Sequence, residues 1–198
     1  MAVAGSPGAI DAERSARARG PSALSVGVVV WLASELMFFS GLFAAWFTLR
    51  SSTRPWPPPG VELATSRTAL ATAVLVASSL TMHRAVGAAV RGDRVAGVRW
   101  LGLTALLGAV FLGNQAWEYI EAPFRISSHA YGSVFYLLTG FHGLHVLGGL
   151  AFMAAVAGMV SGRGSRAPLA PTIEVCAYYW HFVDVVWVAM FATIYLLG

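Results

Sequence analysis

Long apolar runs separated by short polar connections make up most of the chain. Each run is long enough to cross the ~30 Å hydrocarbon core of a bilayer as an α-helix. Nothing in the pattern indicates a soluble domain, a repeat of fixed period or a β-barrel. We therefore predict an all-α fold, a polytopic membrane helical bundle with five transmembrane helices. The predicted spans are residues 24–50, 67–90, 95–121, 131–160 and 172–197.

The connections between the runs carry residues that end helices. Residues 56–60 hold three successive prolines and a glycine, and they predict a stiff extended loop because proline cannot continue a helix. Residues 91–94 predict a tight polar turn, and residues 161–171 predict a flexible loop. Residues 1–23 lack the apolar core of a cleavable signal peptide. We expect a disordered tail there and one transmembrane domain over residues 24–198.

Composition supports a membrane location and narrows the class of partner. Charged residues make up 11% of the chain, whereas soluble domains carry about 25%. The thirteen basic residues are all arginine, and we interpret them as orientation signals and lipid contacts, with no nucleic-acid surface. Nine lie on the side of the N-terminus and four on the other. This asymmetry predicts a cytoplasmic N-terminus and an external C-terminus.

Two histidines lie near the middle of the fourth predicted span. His142 and His145 are three residues apart and therefore lie on nearly the same face of a helix. Polar side chains are costly in hydrocarbon, so this face should look into protein. The pair are candidate metal or haem ligands, with His181 of the fifth span as a possible second axial ligand, or they are packing histidines with satisfied nitrogens.

Carboxyl groups accompany other polar residues in three spans. Asp184 lies one turn from His181, a spacing that can fix an imidazole tautomer or simply orient two helices. Gln115 and Glu118 lie one turn apart. For Glu118 and Glu121 we expect a structural role, with loop partners such as Arg125. The single cysteine excludes an internal disulfide, and no phosphate-binding loop, nucleophile elbow or zinc motif occurs.

Glu35 lies about eleven residues into the first span, or ~16 Å deep. A charged carboxylate is costly there, so Glu35 is either a proton-handling group or a buried acid bonded to a neighbouring helix. His83 and Arg84 lie near the arginine-rich end of the second span. They either contact lipid phosphate or form a solvated helix end.

Several segments, in order and at consistent spacing, resemble subunit III of the haem-copper oxidases, most closely that of cytochrome c oxidase, in its five-helix bacterial form. The segments are WLASELMFFSGLF at 31–43, QAWEY at 115–119, EAPFRIS at 121–127, YGSVF at 131–135, TGFHGLHV at 139–146 and YYWHFVDVVW at 178–187. The likeness extends over roughly residues 24–198. The longer family members have two further N-terminal helices, which form one wall of a lipid cleft.

The resemblance implies a subunit without a redox centre, in a bacterial plasma membrane. Haem and copper would then belong to partner subunits, chiefly subunit I beside subunit II, and phospholipid would bind to this chain. The family subunit sustains proton uptake and protects subunit I. By resemblance, Glu35 matches the family's buried glutamate, and the remaining interior residues look structural: His142, His145, His181 and Asp184. The sequence leaves two alternative functions open, a quinol oxidase subunit and a free-standing haem protein. It does not decide whether the oxidase belongs to a larger respiratory supercomplex.

Overall fold

Five long helices form the bundle in the computed structural model, which describes residues 23–162 and 168–197. They are α1 (Ala23–Ser52), α2 (Thr65–Val90), α3 (Arg94–Glu121), α4 (Ala130–Ser161) and α5 (Leu169–Phe191), and α5 continues into a π-helical turn (Ala192–Leu196). No strand occurs within the described residues. All five helices are long and apolar enough to cross a membrane. The predicted five-helix fold is confirmed, and each boundary lies within three residues of its predicted position when the π-helical turn is counted with α5. The predicted disordered tail lies, apart from Ala23, outside the described residues.

Side chains at the connections close the helix ends. The tight turn between α2 and α3 places Gly92 at φ 77°, a left-handed conformation that glycine adopts without steric cost. The Asp93 carboxylate then caps α3 by accepting a hydrogen bond from the Ala96 N–H at 3.0 Å. At the start of α4, His129 Nδ1 accepts from the Gly132 N–H at 2.8 Å.

The proline-rich connection between α1 and α2 folds back on the bundle. The Trp56 ring lies 5.1 Å from the ring of Trp46 and 5.0 Å from that of Tyr131. Trp46 is fully buried, so it is a packing residue and not a membrane-interface anchor. We call this end of the bundle, where α1 ends and α2 begins, the proline-loop end.

The helices are buried to different extents. α5 is the most deeply buried and α1 the least. α1 packs on α4 and α5, α2 packs on α3 and α5, and α3 packs on α4. α1 is therefore a peripheral helix, and its attachment depends on a narrow set of contacts with α4 and α5.

Two glycines let α3 and α4 close around one tryptophan of α5. A Cβ atom added at Gly108 would lie 2.5 Å from Trp180 Cη2, and one added at Gly149 would lie 2.8 Å from Trp180 Cε3. Trp180 is fully buried, and its Nε1–H donates to Ser78 Oγ at 2.8 Å. Gly108 therefore lets α5 approach α3 closely, and Gly149 does the same for α4.

Candidate functional site

The polar residues inside the bundle form three clusters, each joining different helices. The first, the Glu35 cluster, attaches α1 to α4 and α5. Glu35 Oε1 accepts from Trp31 Nε1–H at 3.1 Å, and Glu35 Oε2 lies 3.2 Å from His145 Nε2. The Trp31 ring stacks on Tyr179 at 5.4 Å, and the Tyr179 hydroxyl donates to the His145 carbonyl at 2.9 Å.

The proton count of the Glu35–His145 pair follows from this geometry. His145 Nδ1 lies 2.7 Å from the Phe141 carbonyl oxygen, which only accepts, so Nδ1 carries a hydrogen. A hydrogen bond between Nε2 and Glu35 then requires one further proton, on either atom. The pair is an imidazolium with a carboxylate or an imidazole with a carboxylic acid, and it is neutral overall in both forms. A neutral pair is far less costly in hydrocarbon than a lone charge.

The second group, the Glu118 cluster, joins α2, α3 and the π-helical turn. Glu118 Oε2 accepts from the Tyr195 hydroxyl at 2.7 Å and from Gln115 Nε2 at 3.3 Å, and Oε1 accepts from Thr68 at 3.3 Å. Glu118 is buried. Three donors from three segments make this carboxyl a structural junction at the proline-loop end.

A cavity of about 400 Å³ opens beside the Glu118 cluster. Glu62, Glu118 and Glu121 line it, together with Arg67. Arg67 forms an ion pair with Glu121 across the α2–α3 contact. The prediction of a loop partner such as Arg125 for Glu121 is therefore wrong. The packing of α2 on α3 brings Arg67 to Glu121 instead.

The third group, the Asp184 cluster, joins α5 to α2. Ser79 Oγ donates to Asp184 Oδ2 and lies 3.0 Å from His181 Nδ1. Trp180 and Trp187 lie about one turn of α5 before and after Asp184. Their indole N–H groups donate to Ser78 and Thr72 of α2, respectively. The expected proximity of His181 and Asp184 is confirmed, and Ser79 connects them.

The histidine pair of α4 separates into two environments. His142 is fully buried between Phe111 of α3, at 5.9 Å between ring centroids, and Trp187 of α5, at 4.9 Å. Neither ring nitrogen has a hydrogen-bond partner among the described residues. His145, in contrast, faces α1. Both imidazoles therefore face protein, as expected, but the alternative of packing histidines with satisfied nitrogens fits His145 alone.

Within the part of the chain that the structure describes, no group of three or more His, Cys, Asp or Glu side chains is placed to hold an ion. His181 contacts Ser79 of α2, whereas His142 contacts the aromatic rings of α3 and α5. His181 and His142 therefore contact different helices.

His83 and Arg84 lie exposed near the end of α2 opposite the proline loop. The Arg84 guanidinium carbon lies 5.0 Å from the ring centroid of Trp100 on α3, a cation–π contact that holds the charge at the bundle surface.

The sequence analysis missed the three hydroxyl groups that donate to Glu118 and Asp184, which belong to Ser79, Thr68 and Tyr195. Each carries a hydroxyl within an otherwise apolar helix, which is the available signal, but serine and threonine in a helix commonly bond to their own backbone. Ser40 does so with the Leu36 carbonyl at 2.7 Å. A hydroxyl alone therefore does not predict a contact with another helix.

The sequence matches the cytochrome c oxidase subunit III family over residues 15–198. A probable cytochrome c oxidase subunit 3 of Nocardia farcinica is 46% identical over 198 residues, covering 98% of this chain and 97% of that one. Cytochrome c oxidase subunit 3 of Corynebacterium diphtheriae is 43% identical over 192 residues, or 93% of each chain. The protein of the same name from Branchiostoma lanceolatum is 41% identical over 186 residues, covering 89% of this chain and 70% of that one. The five-helix fold and these matches over most of the sequence agree, and the chain belongs to the cytochrome c oxidase subunit III family.

Proposed function

We propose that this chain is a non-catalytic core subunit of a proton-pumping cytochrome c oxidase in aerobic respiratory electron transport. Family membership makes it a component of an oxidase complex. The relatives are named as subunits of cytochrome c oxidase, which supports a cytochrome c donor for the complex over a quinol donor. In this proposal the membrane is the bacterial plasma membrane, with the N-terminus in the cytoplasm.

One observation carries the non-catalytic role: the interior carboxyls of the described helices are engaged in joining helices. Glu35 bonds to α4, Glu118 bonds to α2 and the π-helical turn, and Asp184 bonds to α2. Groups used in this way stabilise the bundle instead of binding a redox ion. Haem and copper are accordingly assigned to partner subunits, with subunit I the main contact and subunit II nearby.

The Glu35 cluster is the candidate link to proton uptake by subunit I. Its one mobile proton lies between Glu35 and His145. The Glu35 side chain is 25% exposed and the His145 side chain 16%, so the pair borders the surface of this chain. We assign it the role of fixing α1 to α4 at mid-membrane and so preserving the environment of subunit I near its proton entry.

Lipid binding is assigned to the surface near His83 and Arg84. Arg84 is held against Trp100, and an arginine beside an interfacial tryptophan suits a phospholipid phosphate. The exposed apolar face of α1, which includes Val29, Val30 and Met37, would contact acyl chains or a neighbouring subunit.

The test is Glu35→Gln in the assembled oxidase, with the optical spectrum and the time course of turnover as readouts. Glutamine retains the side-chain shape but cannot form the charged or acid-bearing pair with His145. We expect unchanged haem absorption, intact assembly and a faster loss of activity during turnover.

Ser40→Ala is the matched control, because Ser40 is exposed on α1 and bonds only within its own helix. It should behave as the unmodified oxidase does. Loss of haem from the Glu35→Gln oxidase would contradict the proposal, since it would place Glu35 in the support of a redox centre.

A further inference from the structure

A largely apolar groove with a polar floor opens sideways from the bundle between α2 and α5. It has a volume of about 280 Å³ and is lined by Val76, Ser79, His181, Asp184, Val185 and Val188. The three valines are largely exposed, with Val185 at 69%. The polar atoms therefore lie at the floor of a groove with apolar walls.

The depth of the groove places it in the hydrocarbon. Ser79 is fourteen residues from the start of α2 and Asp184 fifteen from the start of α5, so each lies ~21–23 Å along its helix at 1.5 Å per residue. The two spans, of 26 and 28 residues, are ~39–42 Å long. Both residues therefore lie near the middle of a bilayer core that is ~30 Å thick. Lipid headgroups do not reach this depth, and acyl chains carry no hydrogen-bond donor.

The hydrogen bonds inside the cluster leave one buried oxygen of Asp184 unused. With Asp184 ionised, Ser79 gives its single hydroxyl proton to Oδ2, and His181 Nδ1–H donates to Ser79 Oγ. With Asp184 protonated at Oδ2, the same two bonds run from Oδ2–H to Ser79 and from Ser79 to His181 Nδ1. Neither arrangement supplies a donor to Oδ1. Asp184 is only 5% exposed, and its Oδ1 atom has no partner among the described residues. Oδ1 is an acceptor whether or not the carboxyl is protonated at Oδ2.

An unpaired carboxyl oxygen at this depth is strongly unfavourable unless something supplies a donor. The apolar walls suit the side chains of a helix, and the floor suits a donor projecting from that helix. We propose that the α2–α5 groove receives a transmembrane helix of another oxidase subunit, which donates a hydroxyl, amide or cationic N–H hydrogen bond to Asp184 Oδ1. This inference rests on the proposed function, because it assumes assembly of the chain into the oxidase.

The test places a photoreactive side chain at Val188, on the groove wall, in cells that assemble the oxidase, which is purified in mild detergent after illumination. Val188 is 46% exposed and carries no polar contact, so its replacement leaves Asp184 and Ser79 intact. Illumination in the native membrane followed by mass spectrometry identifies the neighbour. We expect an adduct with a transmembrane segment of a different oxidase subunit.

The matched control is the double variant Ser79→Ala with Asp184→Leu, carrying the same probe. Replacing both partners of a buried hydrogen bond by apolar groups can leave folding nearly unchanged, while it removes the acceptor for the incoming helix. We expect the chain to reach the membrane at normal levels, with an adduct yield and a retention in purified oxidase about tenfold lower, the factor typical of one strong hydrogen bond.

Three outcomes would overturn the inference. Adducts with lipid alone would show that acyl chains fill the groove, and adducts with a second copy of this chain would name a different occupant. An unchanged adduct yield in the double variant would show that Asp184 does not hold the partner. If the unmodified chain failed to purify with an oxidase at all, the proposed function would fall and this inference with it.

Discussion

Gly108→Ala is a small change at the tightest helix contact of the bundle. The added Cβ would lie 2.5 Å from Trp180 Cη2, 2.8 Å from Cζ2 and 3.2 Å from Leu150 Cδ2, whereas carbon atoms in ordinary contact are about 3.5–4.0 Å apart. The Trp180 ring has little room to move, because Gly149 lies so close to its other edge that an added Cβ there would be 2.8 Å from the ring, and because Ser78 holds its N–H.

Two opposing effects set how much Gly108→Ala changes the free energy of unfolding. Overpacking a tight interior costs about 1–3 kcal/mol, while alanine in place of glycine within a helix gains about 0.5–1 kcal/mol. The cost is larger than the gain over most of these ranges, so we expect a net loss of up to about 2.5 kcal/mol for Gly108→Ala. For a chain of this size that corresponds to a fall in Tm of up to roughly 10 °C.

The measurement is the thermal unfolding of the full-length chain in mild detergent, compared with Gly102→Ala and Gly113→Ala. These two glycines lie on the same helix, and an added Cβ meets nothing within 4 Å at either position, so both variants should be as stable as the unmodified chain or more so. If Gly108→Ala unfolded at the same temperature as Gly113→Ala, the closure of α3 and α4 around Trp180 would be wrong.

Two further predictions concern buried polar groups. Tyr195→Phe removes the 2.7 Å donor to Glu118 and should lower the free energy of unfolding by about 1–3 kcal/mol, as expected when a buried acceptor loses its partner. Tyr178→Phe is its control because Tyr178 is 43% exposed, and equal effects of the two would contradict the junction role of Glu118. His142→Phe should be tolerated or stabilising, because His142 is enclosed by aromatic rings without a hydrogen-bond partner among the described residues. His142→Ala should destabilise by about 2–4 kcal/mol by leaving a cavity, and a chain that tolerated alanine but not phenylalanine would show that a ring nitrogen of His142 is needed. Both comparisons use the thermal unfolding assay described above.

The sequence by itself determined the five spans and their ends. In hydrocarbon each backbone hydrogen bond must be made within its own helix, so an apolar run such as 131–160 specifies its structure locally. Local signals also gave the turn at Gly92 and the one-turn spacing of His181 and Asp184, because positions three or four apart in a helix are neighbours whatever the rest of the chain does.

Only the tertiary structure decided which polar groups meet across helices. His142 and His145 are only three residues apart on α4, yet His142 lies among aromatic rings and His145 pairs with Glu35. Glu121 meets Arg67, although Arg125 is far closer in sequence. Such pairings depend on the rotation and height of each helix relative to its neighbours. Close contacts between glycines and bulky side chains set these quantities, and hydropathy along one helix contains no information about them.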